Sequence, residues 1–424
     1  MKVLHAYNQH RGGGGADNAA RATIAVSREH GLDVEVFTRS SEDLPRTLRG
    51  RLQAGTSAIY PPESVAKFDA LLRHFKPDVV HIHEVFPLVS PWILPRCTHH
   101  RVPVVMTTVD YRMTCPIGTH LRQGEPCSSC TNGREHWAVL RNCRGNVTES
   151  ITVALYNTLA RRFKLFTGHV TRYIAPSEFT RLWMIEHAGI DPARITAVSP
   201  LVDIPEYSVD PTSGTYAAYA SRFSPEKGFD TLLAAARLCD VPFRLARNEH
   251  SLVKVEVPHG SDVIVTRSRA ALDEFYRGAR MLVFPSLWFE TFGLVGAEAM
   301  SHGVPVVASR IGALAGLIED GVDGLLFEPG NPHDLARKVT RLWNDPALCR
   351  QLGLAARAKS ASLWSPSRHY RQVKNIYDEV CGGARDARPS ADAKPHAAEV
   401  VQLAPVPAHR VPASDGARIR DVVS

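Results

Sequence analysis

The sequence contains no run of about 18 uninterrupted apolar residues, so no membrane-spanning helix is expected. Its first strand pattern starts at Val3, which leaves no space for the charged and apolar regions of a secretory signal. The expected location is therefore the cytoplasm, where the eight cysteines would stay reduced. There is no Lys/Arg-rich block, no zinc-finger spacing and no repeat of basic and aromatic residues, so nucleic acid is not an expected partner. The dinucleotide fingerprint is missing as well. Gly12-Gly13-Gly14-Gly15 follow the first strand, but no third glycine stands at the required offset.

What the chain does have is the composition of an ordinary globular protein, 44% apolar and 22% charged, over 424 residues. That length exceeds one typical core and predicts two domains or more. The formal charge of +7 suits phosphorylated ligands or an anionic membrane face. Apolar runs alternate with helical patterns from the start. Lys2 to Tyr7 reads as a strand, Asn18 to His30 as a helix and Val34 to Phe37 as the next strand. Strand–helix alternation of this kind predicts an α/β fold with parallel sheets. Four glycines at the first turn can bring backbone amides onto a phosphate or sugar, or can simply form a flexible turn.

Ligands in open α/β sheets gather at the carboxyl ends of strands. On that ground His83, Glu84 and Asp110, each at the end of a predicted strand, are cleft candidates. Residues 110–145 interrupt the alternation and carry Cys115, Cys127, Cys130 and Cys143 in the pattern C-x11-C-x2-C-x12-C. One C-x2-C with two outlying cysteines can build a structural zinc site. Scattered core cysteines or a disulfide pair are the alternatives. A helix expected over 149–166 ends in Arg161, Arg162 and Lys164, with Arg172 and Arg181 beyond. These cations fit either anionic lipid headgroups or the helix dipole.

Residues 200–214, with three prolines, read as an interdomain linker. The strand Tyr216 to Ala220 then enters a tight turn that carries Arg222 and Lys227, a pair suited to clamping a diphosphate. Further on, Met281 to Phe284 and Val304 to Ala308 read as strands joined by a helix from Leu294 to Met300. Glu290 would lie on the loop and Glu298 in the helix, eight residues apart. The amides of Phe292, Gly293 and Leu294 open that helix and form a place for an anion. Carboxylates repel a bare phosphate, so sugar hydroxyls are their natural partners. Helices are expected from Asn331-Pro332 to Trp343 and from Ser365-Pro366 to Gly382-Gly383; residues 384–424 read as a disordered tail.

The order Gly12–Gly15, Arg222/Lys227, Glu290-x7-Glu298 and Gly303-Val304-Pro305-Val306-Val307 resembles the retaining glycosyltransferases of family four. Asp110-Tyr111-Arg112 with Cys115-Pro116 and Cys127-x2-Cys130 resembles a subgroup of bacterial polysaccharide assembly. The resemblance covers roughly residues 1–382. It implies the GT-B architecture, two facing Rossmann-like domains with parallel sheets and a cleft between them. The expected division is 1–205 on the acceptor side, 206–365 for the nucleotide sugar, and a helix over 366–383 that crosses back. It implies that Arg222 and Lys227 bind the donor diphosphate, Glu298 the ribose, and Glu290 with the 292–294 amides the transferred sugar. Gly14 and Gly15 would approach the donor, Asp110 would serve catalysis, and no metal cofactor would be needed for transfer. The implied partners are a nucleoside-diphosphate sugar and a glycan or lipid-linked glycan, with peripheral contact at an anionic membrane.

This sequence departs from the family at three places. Val109 stands where a histidine is usual, Pro200-Leu201 where Asn-Gly is usual, and no glycine-rich turn occupies 245–262. A binding protein of the same fold without turnover and a nucleotide-sugar epimerase remain as alternatives.

Overall fold

The structure is a computed structural model that describes residues 1–10, 14–40, 59–247, 256–258, 260–266 and 268–386. Gly12 and Gly13, a strand expected at 253–257 over most of its length, and the tail from 387 lie outside the described residues. The described chain holds two six-stranded sheets and one short hairpin.

The first sheet is built from β1 (Lys2–Gln9), β2 (Asp33–Ser40), β3 (Val79–Glu84), β4 (Val104–Thr107), β7 (Arg172–Ala175) and β8 (Ile195–Ala197). Between them, β5 (Leu121–Arg122) and β6 (Glu125–Pro126) pair as an antiparallel hairpin. The second sheet holds β9 (Tyr216–Tyr219), β10 (Phe243–Arg247), β11 (Asp262–Val265), β12 (Ala279–Phe284), β13 (Val306–Ser309) and β14 (Gly324–Phe327). The orders are β2-β1-β3-β4-β7-β8 and β11-β10-β9-β12-β13-β14, and every pair within them is parallel. This is the expected α/β architecture of two Rossmann-like lobes.

Both faces of each sheet are covered, which is why strands such as β9, β13 and β14 are buried runs without a polar face. In the first sheet Leu4, Val80, Val104 and Tyr173 enter one core. Their chain neighbours Val3, Val79, Val105 and Ile174 enter another, against Val373, Ile376, Tyr377 and Val380 of the helix Pro366–Asp386. That helix runs past Gly382-Gly383, where the sequence predicted its end. Glycine costs a helix only about 1 kcal/mol, which leaves continuation open.

Two other expectations differ. The helix at 149–166 starts at Val147 with Asn146 as its cap, and it stops at Arg162. Lys164 adopts a left-handed φ of 50°, and a separate turn of helix follows over Leu165–His169. The segment 200–214 is packed rather than loose, since Val202 is buried and its N–H donates to the Trp364 carbonyl. Among the described residues no helix is long and apolar enough to cross a membrane.

Candidate active site

In each sheet the strand order reverses at one point, and such a switch point opens a crevice at the strands' carboxyl ends. In the second sheet it lies between β9 and β12. The turn 220–228 leaves β9 there, and the loop 285–293 leaves β12. Gly228 fastens the two together. It has φ 67°, and a Cβ placed on it would fall 1.7 Å from the Pro285 carbonyl oxygen, so only glycine fits. The Leu287 N–H donates to the Glu226 carbonyl at 3.0 Å.

This contact brings Lys227 to Glu290. Lys227 Nζ donates to Glu290 Oε1 at 2.7 Å and sits 4.7 Å from the Trp288 ring centre. Ser286 Oγ donates to the same Oε1 at 2.6 Å. Both partners of the ion pair are largely buried, at 14% and 8% side-chain exposure, so its Coulomb attraction is little screened. Arg222 is different. Its side chain is 70% exposed and pairs with Glu226 at 3.1 Å, where solvent screens the attraction.

The helix Leu294–Ser301 begins after Gly293, whose φ of 105° and lack of a side chain leave the first turn without a side-chain cap. A Cβ on Gly293 would meet Leu314 Cδ2 at 2.7 Å. Phe292 is buried edge-on against Trp364 and fixes the entry of the chain into the helix. Glu298 lies in the helix, where it is held by two side chains. Arg269 Nη1 donates to its Oε1 at 2.9 Å and Tyr276 OH to its Oε2 at 3.3 Å. Burial raises the Glu298 carboxyl above its ordinary value, against the pull of Arg269 and Tyr276.

In the first sheet the switch point lies between β1 and β3. The helix Gly15–Glu29 follows β1 with Gly14 at its cap, and a Cβ on Gly15 would stand 3.6 Å from Leu294 Cδ1 of the second lobe. Gly15 therefore faces the opening of the Leu294 helix. Nearby, His10 N–H donates to buried Asp17 at 3.0 Å. Asp110, after β4, pairs with Arg112 at 2.8 Å. Glu84, at the end of β3, is pushed up to about 8 by burial and by the neighbouring Asp110 carboxylate.

The lobes touch through the loop that carries Glu290. Thr291 Oγ1 donates to the Val109 carbonyl at 3.3 Å, and Thr180 Oγ1 donates to the Thr291 carbonyl at 3.0 Å. Phe289 inserts into the first lobe's core, its ring centre 5.1 Å from Trp183 and 5.4 Å from Phe179. Glu290 is thereby held in the cleft from both sides.

Residues 14–200 match the glycosyl transferase 4-like domain, and residues 204–359 match the glycosyl transferases group 1 domain. The chain belongs to the GT-B glycosyltransferases. A D-inositol 3-phosphate glycosyltransferase of Streptomyces bingchenggensis is 33% identical over 256 residues, 52% of this chain and 55% of that protein. An uncharacterized glycosyltransferase of Methanocaldococcus jannaschii is 33% identical over 171 residues, 39% of this chain and 48% of its own length. The GT-B chain thus spans about half the length of the curated relatives it matches. Its fold is similar to that of Anabaena HepE, solved with UDP and glucose, at TM-score 0.63 and 19% identity over 89% of this chain and all of HepE. It is also similar to sucrose-phosphate synthase of Thermosynechococcus elongatus, at TM-score 0.69 and 16% identity over 90% of this chain and all of that one.

Elsewhere in this GT-B chain, Cys115, Cys127, Cys130 and Cys143 are all free thiols and line one cavity. Burial and the other three sulfurs push the Cys130 thiol up to about 12. Among the described residues, the one group of three such donors within 4.8 Å of one another is His5, His81 and His83. Those histidines bond mainly within the fold, although His5 Nε2 is buried without a partner among the described residues. His81 bonds Tyr377 OH at 2.6 Å and Thr107 Oγ1 at 2.8 Å, while His5 Nδ1 bonds His83 Nε2 at 2.9 Å. Of the basic residues, Arg161 pairs with Glu135, Arg172 with Glu379 and Arg181 with Glu178; Arg162 and Lys164 are exposed. Sequence reasoning missed Ser286, Arg269 and Gly312. The last abuts Phe289 and Glu290, where a Cβ would lie 3.0 Å from Phe289 Cα. No spacing to the glutamates marks Arg269 or Gly312, because the fold brings them from other elements, while Ser286 shares the loop of Glu290 four residues away.

Proposed function

We propose that this protein transfers a glycosyl group from a nucleoside-diphosphate sugar to a hydroxyl of a glycan or lipid-linked glycan, with retention, in polysaccharide or glycoconjugate assembly. The observation that carries the reading is the buried Lys227–Glu290 pair at the second sheet's switch point, beside the uncapped helix at Gly293. The names of the curated relatives and the UDP and UDP-glucose complexes of HepE support it. The proposed division is an acceptor-side domain over 1–205 and a donor domain over 206–365.

Transfer leaves a nucleoside diphosphate whose charge grows as the glycosidic bond breaks. Lys227, exposed Arg222 and the amides of Phe292, Gly293 and Leu294 are the groups that stabilise it. Gly14 and Gly15 close on the donor from the other lobe. Glu290 holds Lys227 and Ser286 on Oε1, and Oε2 takes a hydroxyl of the transferred sugar. A carboxylate accepts about four hydrogen bonds, so Glu298 keeps capacity for ribose hydroxyls beside Arg269 and Tyr276. Asp110, with Glu84 behind it, orients the acceptor. The departing phosphate takes the acceptor proton on the same face, which preserves the anomeric configuration.

Thermal-shift measurements with UDP-, GDP- and ADP-sugars identify the donor, since a ligand of the folded state raises the midpoint. Lys227→Ala is expected to lower kcat/KM by about 10²–10³, the scale of removing one preorganised donor. Unchanged transfer in Lys227→Ala, Glu290→Ala and Glu298→Ala together would sink the reading. Products formed from donor alone, without acceptor, would favour epimerisation instead.

The proposed site of action is an anionic membrane surface. The helix Val147–Arg162 exposes Val147, Ile151 and Leu155 at 55%, 48% and 39%, four residues apart on one face, with Phe163, Arg162 and Lys164 at its end. Flotation with phosphatidylglycerol vesicles should carry the protein, and Ile151→Glu/Leu155→Glu should release it. Equal flotation of the two counts against the contact.

A further inference from the structure

We propose that Cys115, Cys127, Cys130 and Cys143 bind one zinc ion, and that this site holds the loop of Asp110 and Arg112 in place. Residues 110–145 have little regular structure of their own. They contain the two-residue strands β5 and β6 and one five-residue helix, His136–Leu140. Their buried apolar side chains are Tyr111, Cys115 and Ala138, while Leu140 is 70% exposed. A segment of this size without a hydrophobic core needs another tie.

The four sulfurs supply it. They come from distant points of the segment and line the same cavity. The backbone amides of residues 117–120 turn onto the Cys115 sulfur. Arg141 Nη1 stands 3.7 Å from Cys127 Sγ and is fixed by a 2.6 Å bond to Ser129 Oγ, so a cation lies beside the net negative charge of a tetrathiolate site. Four soft thiolates in tetrahedral array select zinc over hard cations. A disulfide would leave two thiols facing the same cavity with no role. Binding forms four Zn–S bonds and releases four protons to solvent, with no change of oxidation state. It also draws the sulfurs inward, because they do not yet stand within 4.8 Å as a group of three.

The tie reaches the cleft directly. The Cys115 N–H donates to the Tyr111 carbonyl at 2.8 Å, and the Tyr111 N–H donates to Gly118 at 3.4 Å. A Cβ on Gly118 would lie 3.4 Å from Asp110 Oδ2, so the Cys115 turn forms the floor under that carboxylate. The positioning role, unlike the metal itself, rests on the transferase reading above.

Metal analysis of the full chain, purified without chelator, should give close to one zinc per chain and near zero in Cys127→Ser/Cys130→Ser. Cys381→Ser serves as the control and should keep its zinc. Less than about a tenth of an equivalent in the folded wild type overturns the site, since structural zinc binds tightly. A thiol count below eight in denatured, unreduced protein also overturns it. Cobalt exchanged into the protein should show the visible absorption of a tetrahedral thiolate complex, and its absence counts the same way. Chelation should raise the KM for acceptor while the donor-induced thermal shift survives; equal loss of both overturns the positioning role.

Discussion

Glu84 ends β3 as a buried carboxyl beside Asp110, and burial with that second carboxylate pushes it up to about 8. The fold therefore favours its protonated form. Its contribution to stability is complete below about pH 4.5 and is lost as pH rises through about 8. The slope within that window is about 1.4 kcal/mol per pH unit at most. Glu84→Gln keeps a donor toward Asp110 and does not titrate, so its unfolding midpoint should fall less than that of wild type between pH 5 and 8.5. Parallel midpoints across that range would count against a shared proton. Glu84 and Asp110 were legible in the sequence because both are polar residues at strand ends. Their proximity was not, since it depends on β3 and β4 lying side by side.

At the scale of elements, the last helix shows what pattern reading reaches and what it misses. Its start at Pro366 was legible from Ser365-Pro366, but its attachment was not. Tyr377 OH meets His81 Nδ1 at 2.6 Å, His369 bonds Thr23 and the Ser199 carbonyl, and burial holds His83 down at about 3. The neutral imidazoles of β1 and β3 thus form a polar seam under an otherwise apolar helix face. Tyr377→Phe should cost about 1–3 kcal/mol by leaving His81 unpaired, read by chemical denaturation. Donor binding should not change, because the seam lies away from the Lys227–Glu290 pair. Strand β14 was missed for a simpler reason. Its four residues, Gly-Leu-Leu-Phe, have no alternation and are too short for a period to show.

At the scale of the whole molecule, Phe289 couples the lobes together with the Thr180 and Thr291 hydroxyls. Phe289 belongs by sequence to the second lobe and by packing to the core of the first. Phe289→Ala should cost about 3–5 kcal/mol in unfolding free energy, as for a buried aromatic. It should also weaken donor binding, since Glu290 is the next residue and shares its loop. A variant with lost stability and unchanged donor affinity would show that the contact is only structural.

Local sequence alone determined the alternation of strands and helices, the strand-end polar residues, and the glycines at Gly228 and Gly293 that mark sharp turns. These follow from short-range sterics and from the period of apolar residues, which every window of the chain carries. Only the tertiary structure decided that Lys227 pairs with Glu290, that Glu298 is shared with Arg269, and that Arg222 stays exposed beside Glu226. It also decided that four cysteines spread over 29 residues line one cavity. Those outcomes depend on which loops the parallel sheets bring to one crevice, and strand order is a property of the packed whole. The two glutamates of the 290–298 stretch were legible as a pair, but the cations that hold them, Lys227 for Glu290 and Arg269 for Glu298, are placed by the fold.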